Sequence, residues 1–436
     1  MHILNWRSLK PAARSAALAR PAQRQAQVIQ AQVRQIIDAV RSRGDAAVLE
    51  YTARFDKVRL EQIEVQPAEL RQAHGALSSE QHAAIETAIG TVRAFHEAQR
   101  GAPIRVETAP GVVCERITRP IRAVGLYVPA GSAPLPSTAI MLAVPAAIAA
   151  CPQRILCTPP GPSGHADAAV LVAAGKAGID RIFKIGGAQA VGAMAYGTAS
   201  IPKCDKIFGP GNAWVTEAKL QVASDPHGAA FDLPAGVSEV MVVADATANP
   251  EFVAADLLAQ AEHSEDAQAL LVTDSQQLAT QVGAQVAAQV KTLSRREILV
   301  ASVANMRLIV TPDLAGAFQI VNEYAPEHLI LQIAQPREWL EQVHSAGAVF
   351  LGPWSPESVG DYCSGPNHTL PTYGYARAYS GLSLEDFQKR ISVQELSPTG
   401  LRALGRSTEI LAALEGLDAH AAAVTRRLRH LDLSAS

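Results

Sequence analysis

The alternation of hydrophobic and polar positions changes character near residue 116. Across residues 22–55 apolar side chains recur at helical spacing, with Val28, Ile29, Val33, Ile36, Ile37 and Val40 on one stripe, and residues 79–100 repeat the pattern less regularly. Both stretches predict packing helices. Beyond Arg116 the chain turns to short β-branched runs separated by glycine, proline and helical segments, the pattern of alternating strands and helices. Two such units resemble each other. The first is a strand at 123–128, an apolar helix ending near Cys151 and a strand at 154–157; the second is a strand at 239–244, a helix from Pro250 and a strand at 269–272. Their nearly equal spacing predicts two related βαβ halves with parallel sheets, and ligands at the carboxyl ends of the strands. Further strands are predicted at 181–185, 206–208, 307–310, 328–331 and 348–351.

After the last of these, residues 352–374 hold Gly352, Pro353, Pro356, Gly360, Gly365, Pro366, Pro371 and Gly374, a density of breakers that predicts neither helix nor strand. Long loops inside compact domains are usually functional, and this one carries Asp361, Cys363, Asn367 and His368. The chain closes with a helix-like stretch to Leu414, a break at Gly416 and a short basic helix through His420 to Arg429.

Composition narrows the classes of function. At 436 residues, 48% hydrophobic and 18% charged, the chain has material for two to four domains with cores of their own. A net charge of -3 without clustered Lys and Arg argues against nucleic acid as a partner. Five cysteines, odd in number and without a C-x-x-C pair, indicate reduced thiols in a cytoplasmic protein and neither disulfides nor a cysteine zinc site. The N-terminus lacks the charged-then-apolar pattern of a secretory signal. The longest apolar run, 139–151, is interrupted by Pro145 and too short to span a bilayer, so no membrane role is expected.

Three constellations carry chemistry. On the helix from Pro250, with Asn249 as its cap, Phe252, Val253, Leu257 and Leu258 form the apolar stripe and Asp256, Gln260 and His263 share the opposite face. Together with Asp361, His368 and His420 they make a dispersed set of nitrogen and oxygen donors of the kind zinc takes. Ligand strength favours Asp256 over Gln260, and a solvated polar helix face accounts for the same spacing. In Tyr324-Ala325-Pro326-Glu327-His328, Pro326 predicts extended geometry at Ala325 and delivers a carboxylate and an imidazole to the mouth of an apolar strand, an arrangement suited to general acid-base work. A surface loop with two solvated side chains reads the same way. Finally, Gly186-Gly187-Ala188-Gln189 and Gly209-Pro210-Gly211-Asn212 each follow a strand and precede a helix, aiming backbone N–H groups at an anion. Neither is G-x-G-x-x-G, since Trp214 stands at the third glycine, and Asn212 also fits a simple helix cap.

Taken in order, these stretches resemble the histidinol dehydrogenase family over nearly the whole chain. The resemblance is carried by Val124-Gly-Leu-Tyr-Val-Pro129 with Gly131 and Ser132, Gly209 to Asn212 with Val215 and Thr216, Asp232-Leu-Pro-Ala-Gly236 leading to Ser238 and Glu239, Gln260-Ala-Glu-His263, Tyr324 to His328, Gly365-Pro-Asn-His368 and Val393-Gln-Glu395. Val237 departs from it, standing where the family usually has proline.

The resemblance implies an α/β fold of two related Rossmann-like domains with mostly parallel sheets, plus a small helical C-terminal segment engaged in dimerisation. It implies an N-terminal arm at 1–24 packing with the C-terminal part, a first domain at 25–122 and 237–380, a second at 123–236 on the NAD side, and the dimerisation segment at 381–436. One zinc ion would be held by Gln260, His263, Asp361 and His420, with Gln260 displacing Asp256. Glu327 and His328 match the acid-base pair, and Tyr127, Gln189 and Asn212 the NAD contacts. Ser238, His368 and Glu415, with the zinc ligands and His328, match positions that hold L-histidinol. The implied reaction is a four-electron oxidation of L-histidinol to L-histidine with two NAD, in a cytoplasmic homodimer whose C-terminal segments complete each other's sites. Three other readings use the same residues: a dehydrogenase of another polar alcohol on this scaffold, a zinc hydrolase with Glu327 as base, and a metal-stabilised assembly protein without catalysis.

Overall fold

A computed structural model describes residues 1–21, 26–130, 133–234 and 236–434. The start of the helical pattern at residue 22, Gly131, Ser132 and the Ala235 of the Asp232–Gly236 stretch lie outside the described residues. The chain is α/β and divides into two compact units, one of Met1–Gln99 and Arg122–Phe387, the other of Arg100–Ile121 and Gln388–Ser436.

The first unit contains two sheets, each parallel throughout. The five-stranded sheet runs in the order Arg181–Lys184, Gln153–Thr158, Ala123–Tyr127, Lys206–Phe208, Ala230–Phe231. The six-stranded sheet runs His2–Asn5, Arg307–Val310, Gln268–Thr273, Glu239–Ala244, His328–Gln332, Ala348–Leu351. Strands such as Glu239–Ala244 are buried at every position, as expected where helices cover both faces and the alternation of an exposed sheet is lost. The two predicted βαβ units are present, with Pro136–Ile148 and Pro250–Ala261 as their crossover helices. Residues 2–5, where the sequence pattern predicted no strand, form an edge of the six-stranded sheet.

The predicted helical stretch ending at Phe55 is two helices, Ala26–Arg43 and Asp45–Phe55, parted by Gly44 at φ 55°. Their apolar stripe, including Val33, Ile36, Ile37, Val40 and Val48, shares a core with Phe183, Val191 and Met194 of the five-stranded half. The six-stranded half has its own core on each face, one around Val242, Leu257 and Leu271 and one around Val243, Phe318 and Leu329. Truncating any of these fully buried side chains to alanine is expected to cost about 2–5 kcal/mol.

The breaker-rich segment contains a short helix, Glu357–Tyr362, which corrects the expectation that no helix could form there. Pro356 sits at its N-cap, where a missing N–H costs nothing, and Gly360 lets the helix lie against Phe350: a Cβ at Gly360 would come within 2.4 Å of that ring.

In the second unit, Gln388–Leu396, Val112–Pro120 and Ile104–Ala109 form a three-stranded antiparallel sheet, followed by helices Pro398–Leu414 and Asp418–Leu433 that turn at Gly416, φ 70°. The C-terminal segment therefore contributes a nine-residue strand as well as helices. Among the described residues no helix is long and apolar enough to cross a membrane.

Candidate active site

Two edges of the first unit gather the predicted residues, and they are opposite in kind. At the carboxyl edge of the five-stranded sheet, Tyr127 ends its strand and its hydroxyl accepts the Gly187 amide at 3.1 Å. Gln189, in the first turn of the Gly187–Tyr196 helix, is buried, and its Oε1 has no hydrogen-bond partner among the described residues. Asn212 caps the Ala213–Ala223 helix, accepting from the amides of Trp214 and Val215 at 3.1 and 3.2 Å, and is itself exposed. The loop between them is held at Gly209, φ 125°, whose amide donates to Asp232 at 2.7 Å and whose carbonyl accepts Lys219 Nζ at 2.9 Å, with Lys219 and Asp232 paired in the interior. A Cβ at Gly209 would lie 2.1 Å from the Tyr127 carbonyl oxygen, so only glycine lets the loop pass. Two helix N-termini meet this edge, with a buried amide oxygen that has no partner among the described residues, a setting suited to a nucleotide.

The acid-base and ligand candidates lie at the amino edge of the six-stranded sheet, which corrects the general expectation that ligands bind at carboxyl ends. His328 starts its strand opposite Val240, and the preceding residues Glu327 and Glu239 are brought together by the same register. The electrostatics explain the edge. Crossover helices run antiparallel to the strands, so Gln260 and the following turn stand at the carbonyl-bearing, negative end of the Pro250–Ala261 helix, the end that favours a cation. His263 is two residues past that helix, since Glu262 caps it, and is positioned by its amide bonding Gln260 O at 3.2 Å rather than by helical periodicity.

Asp256, preferred on ligand strength, is not part of the cluster contacts. Its carboxylate accepts Gln332 Nε2 at 2.6 Å inside the sheet-helix layer, and burial pushes it up to about 6. Gln260 is fully buried. Its neighbours dictate the amide orientation: the nitrogen donates to Glu357, at 3.2 Å to Oε2, and the oxygen accepts from the Glu239 amide at 3.3 Å.

Glu357 was missed by sequence reasoning. Its side chain and those of His263 and Asp361 place three donor atoms within 4.8 Å of one another, a group that could hold a metal ion. The signal was available, because Glu357 and Asp361 stand four apart on one face of a helix started by Pro356. Burial pushes Glu357 up to about 8. Asp361 is held below its ordinary range: burial alone would raise it, but the adjacent His328 imidazole, with His368 and His263, outweighs that effect.

Glu327 and His328 are both buried and both held by one residue's main chain. The Glu239 amide donates to Glu327 Oε2 at 2.7 Å, and His328 Nδ1 donates to the Glu239 carbonyl at 3.0 Å. A carbonyl can only accept, so the Nδ1 carries hydrogen and Nε2 is the nitrogen left to exchange a proton. That Nε2 has no hydrogen-bond partner among the described residues and lies 3.5 Å from Asp361 Oδ1. Burial pushes Glu327 up to about 8, the nearby imidazole working against it. For His328 burial opposes the charge, yet the carboxylates of Glu357, Glu327 and Asp361 together hold it well above its ordinary value.

The approach to this pair differs from expectation. Ala325, predicted extended ahead of Pro326, is left-handed at φ 53°, ψ 69°. It caps the Leu314–Tyr324 helix, its amide bonding Val321 O at 2.7 Å, so helix termination overrides the extended preference. Proline's exclusion of right-handed helix before it is still respected.

Ser238 is half-buried immediately before Glu239. His368 approaches Thr138, with 3.5 Å from Nε2 to Oγ1, and its neighbour Asn367 donates to Met141 O at 2.7 Å. Thr138 and Met141 belong to the Pro136–Ile148 helix of the other sheet, so the 352–374 segment carries Asp361 at one sheet's amino edge and His368 at the other sheet's carboxyl side. Glu415 and His420 belong to the second unit, where Glu415 caps the Pro398–Leu414 helix, His420 lies in the first turn of Asp418–Leu433, and both are exposed.

Comparison with known proteins gives the family and the fold. The sequence profile of the histidinol dehydrogenase family matches residues 18–428. A histidinol dehydrogenase of Xanthomonas euvesicatoria pv. vesicatoria is 55% identical over 428 residues, covering 98% of this chain and 99% of the relative. One from Vibrio parahaemolyticus is 52% identical over 431 residues, covering 99% of each. The crystal structure of histidinol dehydrogenase from Elizabethkingia anophelis superposes with a TM-score of 0.94 at 44% identity, covering 99% of this chain and 98% of that one. The chain belongs to the histidinol dehydrogenase family of oxidoreductases.

Proposed function

We propose that this chain oxidises L-histidinol to L-histidine through the aldehyde, consuming two NAD in turn with one zinc ion at the substrate. The observation that carries this reading is His328, whose Nδ1 is tied to the Glu239 carbonyl so that Nε2, facing Asp361, is the nitrogen that exchanges a proton, with Glu327 secured beside it.

The donor set fits zinc: an imidazole and two carboxylates converge, with a buried amide next to them. Gln260, His263 and Asp361 would hold the ion, with His420 supplied from a second copy of the chain, and Glu357 supports the group through Gln260. Tyr127, Gln189 and Asn212 fit NAD, the unpartnered Gln189 oxygen and the glycine-limited loop at Gly209 being the features that favour a bound nucleotide. Zinc, when bound, orients the imidazole and amine of histidinol, and NAD, when bound, accepts hydride.

His328 Nε2 takes the hydroxyl proton as the alcohol carbon gives up hydride. The second oxidation needs a hydrated aldehyde, because hydride leaves only from a tetrahedral carbon bearing hydrogen. Glu327 takes a proton from the adding water, and His328 passes protons onward. A carboxyl raised by burial to about 8 has a proton affinity suited to that exchange. Ser238 and His368 hold the substrate, and Glu415, supplied like His420 by a second copy of the chain, pairs with the substrate ammonium. Homodimerisation is supported by the apolar side chains the second unit exposes, among them Leu411 at 60%, Leu414 at 79% and Leu433 at 76%. The working compartment is the cytoplasm.

The test is the yield of NADH per histidinol consumed by purified, zinc-loaded protein. About two supports the four-electron oxidation; about one means oxidation of an alcohol only, and none favours the hydrolase reading.

A further inference from the structure

Arg20, just beyond the Pro11–Leu18 helix, reaches the amino edge of the six-stranded sheet and contacts three consecutive parts of the acid-base scaffold. Its Nε and Nη2 grip both carboxylate oxygens of Glu239, the Nη2 to Oε2 bond at 2.8 Å. The same Nη2 donates to the carbonyls of Tyr324, at 2.8 Å, and Ala325, at 3.4 Å. The guanidinium also lies 3.8 Å from the centre of the Tyr324 ring. The Glu239 side chain is wholly buried and that of Arg20 is 13% exposed, and the Tyr373 amide donates to Glu239 Oε1 at 3.0 Å.

Each partner adjoins the reacting pair. Glu239 supplies the amide that holds Glu327 and the carbonyl that holds His328. Tyr324 and Ala325 form the left-handed corner from which Pro326, Glu327 and His328 continue. A non-glycine residue at positive φ persists only where its surroundings over-determine it. Arg20 bonds the carbonyl of the strained residue and the one before it.

Resting on the reading of Glu327 and His328 as the acid-base pair, we infer that Arg20 and Glu239 form a positioning ion pair that sets the geometry of both side chains. Thermodynamic stability is a weak reason for such a pair, because a buried ion pair often contributes no more than apolar packing of the same volume. Its shape gives the stronger reason. One carboxylate must be held at both oxygens while two carbonyls are held from the same side, and only a planar guanidinium has donors for that; a lysine ammonium lacks the fork. Among the described residues the two side chains of the pair bond no donor atom of His263, Glu357 or Asp361, the Glu239 main-chain amide alone reaching the Gln260 oxygen at 3.3 Å, and Arg20 acts on Glu327 and His328 through Glu239 and the Ala325 corner.

The test is steady-state oxidation of histidinol by zinc-loaded Arg20→Ala and Arg20→Lys, with thermal melts on the same samples. Small displacements of reacting groups cost on the order of 100-fold. Arg20→Ala is therefore expected to lose about 10- to 100-fold in kcat, with KM for histidinol and NAD within about twofold of the parent. Sub-denaturing guanidinium should restore part of that kcat, and Arg20→Lys should stay low. An unchanged kcat per folded site, or a loss that guanidinium leaves untouched and that follows the folded fraction, overturns the inference. Should Arg20→Ala not fold, Glu239→Gln retains the main-chain bonds and side-chain size; full kcat in that variant overturns the inference, and a selective loss of kcat supports it. His328→Asn separates the two levels. If it keeps activity, the acid-base reading itself fails, whereas an inactive His328→Asn beside a fully active Arg20→Ala removes only the positioning role.

Discussion

The amide of Glu239 donates to the carboxylate of Glu327 at 2.7 Å across two neighbouring parallel strands. A carboxyl that is buried, raised to about 8 and yet anchored by one backbone donor is set to exchange a proton without swinging away.

Replacing Glu327 by Gln keeps the hydrogen bond from Glu239 and removes the proton-accepting oxygen. Oxidation of histidinaldehyde is expected to fall about 10²- to 10⁴-fold, the usual contribution of a general base, and oxidation of histidinol to fall less. Single-turnover measurement of the two half-reactions checks this, and equal losses would remove Glu327 from water activation.

Glu357 accepts the Gln260 amide and lies within 3.7 Å of His328 Nδ1, so its loss frees a buried ligand candidate to rotate. Glu357→Gln is expected to weaken zinc binding by about 10- to 100-fold, as loss of a supporting partner commonly does. Competition with a chromophoric chelator measures it. Unaltered affinity would confine Glu357 to packing.

Asp56 caps the Asp45–Phe55 helix with its buried Oδ2 unpartnered among the described residues, and burial pushes its carboxyl up to about 6. A folded-state value above the ordinary one means that the proton favours folding. The associated stability is complete below the ordinary aspartate range and is lost as pH rises through about 6. Asp56→Asn escapes that loss. The variant is expected to be more stable than the parent at pH 7.5 by about 1 kcal/mol, after allowing for partial solvent screening, with the difference shrinking towards about pH 4. Denaturant midpoints at the two pH values decide it, and a constant difference would show that Asp56 does not titrate in this way.

If His420 reaches the site of a second copy, inactive His328→Asn and inactive His420→Asn chains should complement when mixed. One of the two sites in each hybrid dimer would carry neither substitution, so verified hybrids are expected to recover up to about half of the parent activity per dimer. Hybrids that stay inactive would place His420 outside the partner's site.

Much of the architecture could be read from the residues because it depends on local periodicity. The strands at 206–208, 307–310 and 348–351 and those of the two βαβ units are largely apolar runs bounded by breakers, and their observed ends agree with the pattern to within a residue or so, while the first crossover helix ends at Ile148, short of the predicted Cys151. Glu327, His328 and Asn212 were likewise legible, since each sits at a strand mouth or helix start that its neighbours in the chain define. Glu357 was hidden by its surroundings: eight prolines and glycines within 352–374 masked a six-residue helix whose close packing against Phe350 needs Gly360.

The sequence by itself determined the class of fold, the order of its elements and the family, because apolar spacing and motif order are properties of the chain alone. Only the tertiary structure decided which polar group meets which. Strand register brought Glu239 beside Glu327, and Gln332 engaged Asp256 while Gln260 turned to Glu357. Helix termination made Ala325 left-handed, and the antiparallel run of helix against strand put the cation candidates at the amino edge. Hydrogen bonds between residues some 90 to 300 positions apart have no signature in local pattern; burial penalises an unpaired polar group, and the partner it takes is whichever one packing brings within 3 Å or so.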